Sequence, residues 1–161
     1  MSACLVGVRC RYDGESREDP KVLEILGGRA VPVCPEQLGG LPTPRPRAEF
    51  VGGDGEDVLD GRARVVSEEG VDVTDFFLRG AEEVLRIARL LGVREVVFKD
   101  KSPSCGVRVV WVEGREVPGV GVTSALLMRN GLSVRAAEDG GGGTSEGARG
   151  RQDGEPFRGR C

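Results

Sequence analysis

Three cysteines stand where apolar, strand-like segments give way to turns. Cys4 lies in Ser2-Ala3-Cys4-Leu5-Val6-Gly7, Cys34 in Val31-Pro32-Val33-Cys34-Pro35-Glu36, and Cys105 in Lys101-Ser102-Pro103-Ser104-Cys105-Gly106. Ligands of an open parallel sheet bind in the crevice beyond the carboxyl ends of its strands. Thiols far apart in sequence can therefore meet in one crevice, beside Glu36 and Ser102. Thiolates select soft metals: zinc, copper(I) or an iron–sulfur cluster. Three protein thiolates leave one position of a tetrahedral or four-metal site open, and an open position is where chemistry happens. A fourth thiol, Cys10, opens the Cys10-Arg11-Tyr12-Asp13-Gly14 loop. With it, the same set would close into a structural zinc or electron-transfer site. No two of these cysteines are near enough in sequence to bind a metal locally, so joint ligation depends on the fold.

Each of these residues also has a plain structural reading. A lone buried cysteine packs as a small hydrophobe. Ser102 precedes a proline and fits the start of a turn. Glu36 follows one and fits a helix cap. Arg45-Pro46-Arg47, like Arg9 and Arg11, reads either as solvated loop or as a clasp for an anionic or carbonyl-bearing ligand, tRNA included. What separates the readings is convergence: three cysteines at three strand ends, two within two residues of a proline and one beside a glycine, are poor filler.

The chain has no histidine. That excludes Ser-His-Asp and Cys-His machinery, HExxH sites, histidine-ligated haem and mixed Cys/His zinc sites. Acid–base work falls to Asp, Glu, Lys, Tyr, Cys or a metal-bound water. Glu36, two residues past Cys34, is the simplest base within reach of such a site. Ser102, three residues before Cys105, is the matching hydrogen-bond donor. Asp13 and Arg45 are the candidate substrate-binding residues.

The elements that must position these groups read as an α/β pattern. Strands are expected at Met1 to Val6, Ala30 to Val33, Glu95 to Phe98, Val107 to Val112 and Leu132 to Ala136. A hairpin is expected from Arg64 to Ser67 and Val71 to Val73. The clearest helix is Asp75 to Leu91, where Phe77, Ala81, Val84, Leu85, Ala88 and Leu91 recur at three- and four-residue spacing and Thr74 can cap. Shorter helices are expected at Lys21 to Leu26, ended by Gly27-Gly28, and at Val122 to Asn130. Glu36 to Gly55 reads as one long, proline-stiffened loop, of a length that usually carries function. Helices alternating with short apolar strands predict a small, mostly parallel sheet with flanking helices, a Rossmann-like three-layer sandwich.

With 161 residues, the chain has room for one domain and a tail. The expected boundary is 1–137 for the domain and 138–161 for a glycine-rich, disordered tail with a single aromatic, Phe157. A net charge of −3 and a pI near 5.2 argue against nonspecific duplex binding. No apolar run reaches the ~18 residues of a membrane helix, and Met1 runs straight into a strand-like segment without a signal peptide. The expected compartment is the cytoplasm, where cysteines read as metal-binding or catalytic rather than as disulfides.

The combination Ser2-Ala3-Cys4-Leu5-x-Gly7, Cys10-Arg11-Tyr12-Asp13-Gly14, Val33-Cys34-Pro35-Glu36, Gly53-Asp54-Gly55 and Ser102-Pro103-Ser104-Cys105-Gly106 resembles the thiouracil desulfidase family over residues 1 to 137. The resemblance implies a [4Fe-4S] cluster held by three cysteines, whose fourth iron takes the sulfur of a thiolated pyrimidine without redox chemistry. Longer members carry valine or a similar residue where this chain has Cys10 and keep the equivalents of the other three. That pattern implies Cys4, Cys34 and Cys105 as ligands and Cys10 as an extra. The family's glutamate after Cys-Pro matches Glu36, and its catalytic serine matches Ser102. The chain departs from longer members in its glycine-rich tail and in lacking their second domain. The implied reaction converts a 2-thiouracil-like base to the oxo form and releases sulfide. The alternatives are a cluster-based sulfur carrier for tRNA thiolation, which would need an ATP-binding partner, and a non-catalytic structural site built on all four cysteines.

Overall fold

Parallel pairing gathers the segments that end in cysteine. The computed structural model describes residues 1–26 and 29–137. The expected tail, residues 138–161, and the glycine pair expected to end the first helix lie outside the described residues. Strand β3 (Glu95–Phe98) pairs in parallel with β6 (Ser133–Ala136). Beside β3, Ser2 donates its N–H to Val97 O, and Ser2 in turn forms a parallel bridge with Val33. Cys4, Cys34 and Cys105 each follow one of these segments.

Two of the expected strands shrink to this bridge. Ala3–Val6 is a 3₁₀ turn, closed by Leu5 N–H to Ser2 O and ended by Gly7 at φ 86°. Beyond that closure its backbone is met by neighbouring loops: Ala3 N–H donates to Val33 O, and the Cys4 and Leu5 carbonyls accept from Arg17 and Asp19 N–H. Around Val33, Pro32 has no N–H to donate and Pro35 starts a helix, so the ladder cannot lengthen.

The second sheet is mixed, with order β2-β1-β4-β5. Strands β1 (Ala48–Val51) and β2 (Arg64–Ser67) are antiparallel, β1 and β4 (Val109–Val112) parallel, and β4 and β5 (Arg115–Pro118) antiparallel. The class is α/β as expected; of the antiparallel pairs, β4–β5 is a tight hairpin, while the connection from β1 to β2 passes through a short helix at Gly55–Leu59. Glu113 and Gly114, both at positive φ (48° and 76°), form the tight hairpin between β4 and β5. Val66 bridges Asp72, as the expected hairpin at that point requires.

The segment expected to be one loop holds three elements: α2 (Pro35–Leu38), β1, and α3, which begins at its end (Gly55–Leu59). The prolines stiffen only its middle, while fully buried Phe50 pins β1 in the core. Helix α1 is Pro20–Leu26, α4 is Thr74–Leu90 and α5 is Val122–Arg129. Thr74 does not cap α4. Its hydroxyl accepts from Val65 N–H at 2.9 Å, and Asp72 Oδ1 accepts from Thr74 N–H at 3.0 Å instead. Among the described residues, no helix is long and apolar enough to cross a membrane.

Two backbone contacts set the site. Helix α2 lies on α4 with almost no side chain between them. A Cβ on Gly80 would come within 2.0 Å of Pro35 O, and one on Gly39 within 1.9 Å of Phe76 O. On the other side, Asp54 caps α3 through Glu56 and Asp57 N–H and also accepts from Val120 N–H at 3.0 Å. Gly121 then presses on the Ser104 carbonyl, where a Cβ would approach to 2.4 Å. The Gly53-Asp54-Gly55 motif thus works at a distance: it seats the turn that carries Cys105.

That turn is tied at its root by Asp100. Oδ1 accepts from the N–H groups of Val107, Arg108 and Val109 at 3.0, 3.0 and 3.2 Å. Burial alone would raise the Asp100 pKa, but these donors and the Arg108 guanidinium bring it from 3.8 to about 2.

At a free helix position, Gly→Ala gains about 1 kcal/mol in propensity. Gly80→Ala should instead destabilise by about 1–3 kcal/mol, the usual range for overpacking; thermal melting reads the sign directly. Asp100 binds fewer protons folded than unfolded near pH 3, so its contribution is complete above about pH 4 and is lost as pH falls towards about 2. Asp100→Asn should remove that part of the pH dependence, measured as urea midpoints between pH 5 and 2.5; an unchanged slope would discount the tie.

Candidate active site

Cys4, Cys34 and Cys105 border one cavity of about 90 Å³. Cys4 is delivered by the 3₁₀ turn, Cys34 by the N-cap position of α2, and Cys105 by the turn after β3. Cys10 lines the same cavity and is buried. Glu36 and Ser102 line it too. The three cysteines expected to meet beside Glu36 and Ser102 do so, and Cys10, left open by the sequence, joins them.

The four thiols differ. The Cys10 thiol shares its one proton with the Cys34 and Cys4 sulfurs, which pushes its own pKa up while theirs fall. Cys34 comes down to about 7, through Cys10 first and Gln37 N–H after it. When protonated, Cys34 Sγ lies 3.5 Å from the Cys10 carbonyl, to which it donates. Cys105 is fully enclosed, and burial pushes its thiol up against the opposing effect of the Ser2 hydroxyl. Ser2 Oγ accepts from Lys99 N–H at 3.0 Å, which turns its proton toward the sulfur. Sequence reasoning assigned no role to Ser2, although it stands two residues before Cys4.

Ser102 shapes its own turn. Its Oγ accepts from the N–H groups of Ser104 and Cys105, both at 3.2 Å. The hydroxyl proton is left for donation. Glu36 sits in the first turn of α2, and Arg45 binds its Oε2 at 2.7 Å through Nε. Among the described residues no donor engages Oε1, and Glu36 lines the cavity.

The two expected substrate-binding residues sit differently. Arg45 borders the cavity but is buried, with its guanidinium engaged by protein acceptors. Asp13 does not line the cavity. It pairs with Arg11 at 2.8 Å and accepts from Glu15 N–H at 3.1 Å, holding the loop after Cys10. The tight turn at Gly14 places this carboxylate on the outside.

Several lining residues were missed. Lys99 and Lys101 flank the Ser-Pro-Ser-Cys turn, and Trp111 on β4 carries the Arg47 guanidinium 4.9 Å over its ring. Burial lowers the Lys99 pKa, with the Cys4 thiolate opposing. The available signal was the placement of two lysines beside a cysteine turn and of the chain's one tryptophan. In sum, the wall carries Arg11, Arg45, Arg47, Lys99 and Lys101 against the single carboxylate Glu36.

A thiolate, not a thiol, attacks an alkylating agent. In metal-free protein at pH 7.5, half-buried Cys34 should therefore react with iodoacetamide well before Cys105. Peptide mass spectrometry gives the order, and prior labelling of Cys105 would contradict the assigned electrostatics.

The model of the 2-thiouracil desulfurase family matches residues 1–139. Protein YbbK of Bacillus subtilis (strain 168), itself uncharacterized, is 41% identical over 138 residues, 83% of this chain and 91% of that protein. Among solved structures, the [4Fe-4S]-dependent thiouracil desulfidase TudS is 45% identical, with a TM-score of 0.73, covering 86% of this chain and 88% of that one. A family match over nearly the whole domain, with the motif residues gathered round one cavity, assigns the chain to the 2-thiouracil desulfurase family.

Proposed function

We propose that this chain desulfurates a thiolated pyrimidine of the 2-thiouracil type, replacing C=S by C=O and releasing sulfide, with a [4Fe-4S] cluster held by Cys4, Cys34 and Cys105. One observation carries the reading: three thiols from separate segments share a cavity with a carboxylate and a serine hydroxyl. The donor set suits the group, being all sulfur with no imidazole. Among the described residues, no three Cys, Asp or Glu side chains are gathered tightly enough to hold a single metal ion. Thiols spread round a cavity fit a cluster several atoms across better than a single zinc ion. When bound, the cluster supplies an iron with an open coordination position, a Lewis acid for sulfur.

The protein's own groups supply the rest. Glu36, through Oε1, orients a water and takes its proton as the oxygen adds to the carbon bearing sulfur. Ser102 donates its hydroxyl proton in a hydrogen bond to the charge that develops on the tetrahedral carbon's substituent. The C–S bond then breaks, the sulfur leaves as sulfide, and the new C–O bond becomes the carbonyl. Carbon changes partner without a change in oxidation state, so no electron donor is needed. Of the lining cations, Arg11, Arg45 and Lys101 are each paired with a carboxylate, and Arg47 and Lys99 remain to favour an electron-rich or deprotonated thioamide over a neutral apolar ligand.

Protein prepared without air should be brown and contain iron and sulfide. Cys4→Ala, Cys34→Ala and Cys105→Ala should each lose the cluster, whereas Cys10→Ala should keep most of it. A Cys10→Ala protein as iron-poor as Cys34→Ala would overturn the three-ligand assignment. Glu36→Gln and Ser102→Ala should keep iron and spectrum and lose turnover of 2-thiouracil by about 10²–10⁴-fold and about 10²–10³-fold. Near-normal turnover by Glu36→Gln with a full cluster would remove Glu36 as the base.

A further inference from the structure

We propose that Arg45 is a positioning residue: it fixes the direction of the Glu36 carboxylate and touches no substrate. The inference rests on the proposed role of Glu36. Its basis is the guanidinium's engagement by protein acceptors on all three nitrogens. Nε donates to Glu36 Oε2 at 2.7 Å, and Nη2 lies 2.6 Å from the same oxygen. Nη2 also donates to the Cys10 carbonyl at 3.1 Å. Nη1 donates to the Pro42 carbonyl and to Thr43 Oγ1, both at 3.1 Å. A guanidinium has five N–H donors, and four of them make these hydrogen bonds, with Nη2 also paired in charge to Oε2.

The side chain is also buried, with 4% of its surface exposed against 16% for Glu36. A buried ion pair gives little net stability, because desolvation cancels most of the attraction. Its value here is geometric. Three chain segments meet at one planar group: α2 through Glu36, the loop after the 3₁₀ turn through Cys10 O, and the 42–45 segment. Arg45 takes one carboxylate oxygen and leaves the other without a donor among the described residues, on a side chain that lines the cavity with the cysteines. Its own backbone is anchored, with Arg45 N–H donating to Tyr12 O at 2.9 Å. Lysine cannot reproduce this arrangement, since an ammonium is a point charge with three donors rather than a planar fork.

A residue that acts through Glu36 has a kinetic signature that a merely structural one lacks. Once Glu36 can no longer act as a base, loss of its orientation should cost nothing further. The test is a double-mutant cycle on anaerobically reconstituted full-length protein, with 2-thiouracil as substrate. Iron content and the visible spectrum are measured for every variant. Arg45→Met should keep the cluster, change KM little and lower kcat by about 10²-fold, the scale of an ångström-sized misplacement. Arg45→Lys should fail to restore it. In a Glu36→Gln background, Arg45→Met should lower kcat by less than about 3-fold, because coupled residues are non-additive.

An undiminished loss in the Glu36→Gln background overturns the proposal, as does normal kcat in Arg45→Met or full rescue by lysine. If both Arg45→Met and Arg45→Lys lose the cluster, Arg45 holds the ligand loop rather than the base, and the proposal also falls. Full turnover by Glu36→Gln alone would sink the base assignment and this inference together. Slow Glu36→Gln with an additive Arg45 effect would sink only the inference.

Discussion

Everything at the site depends on how closely α2 can approach α4. With Gly39 and Gly80 facing the carbonyls of Phe76 and Pro35, the two helices touch backbone to backbone. A four-residue helix cannot hold itself together in water, since nucleation alone is unfavourable. It persists because α4, a long amphipathic helix packed on α5, gives it a rigid seat. Cys34 at its N-cap and Glu36 in its first turn inherit that rigidity. The same logic recurs across the cavity, where Asp54, Gly121 and the Ser104 carbonyl brace the turn of Cys105. Both sides of the site are thus supported by glycine-mediated contact rather than by interdigitated side chains.

Much of this was legible in the sequence, and the failures have physical causes. Helix α4 announced itself because seventeen residues carry one consistent apolar stripe. Two of the site cysteines were legible because they border a residue that stops a ladder, Pro35 beside Cys34 and Gly106 beside Cys105. Strand β1 was missed because its neighbours are prolines, and its single strong core residue, Phe50, gives no period. The strand expected at the N-terminus was a 3₁₀ turn because a run of small apolar residues looks alike in either form; only the left-handed Gly7 decides. Asp13 and Arg45 show the deeper limit. Side-chain type suggested ligand contact for both, but the first is spent on Arg11 and the second on Glu36, and pairing is a property of three dimensions.

The charge distribution reverses the impression given by composition. A chain of net charge −3 lines its cavity with Arg11, Arg47, Lys99 and Lys101 around one carboxylate. The acidic excess lies elsewhere, on outer helix faces and capping loops such as Asp57, Asp60 and Asp72, where arginines partly neutralise it. Net charge bounds nonspecific partners but says nothing of a local field, which a low-dielectric wall concentrates. Partly buried Lys99 shows the strength of that enclosure, its ammonium disfavoured by burial and sustained by the sulfur beside it.

Trp111 gives the molecule an optical reporter of its own. The chain has a single tryptophan, and that indole sits on the cavity wall with Arg47 over its face. Indole emission is therefore not averaged over several fluorophores; it registers one wall of one cavity. Displacement of the guanidinium, entry of an absorbing chromophore, or drying of the ring's exposed edge each alters that light. Occupancy can be followed in the unlabelled protein at low concentration.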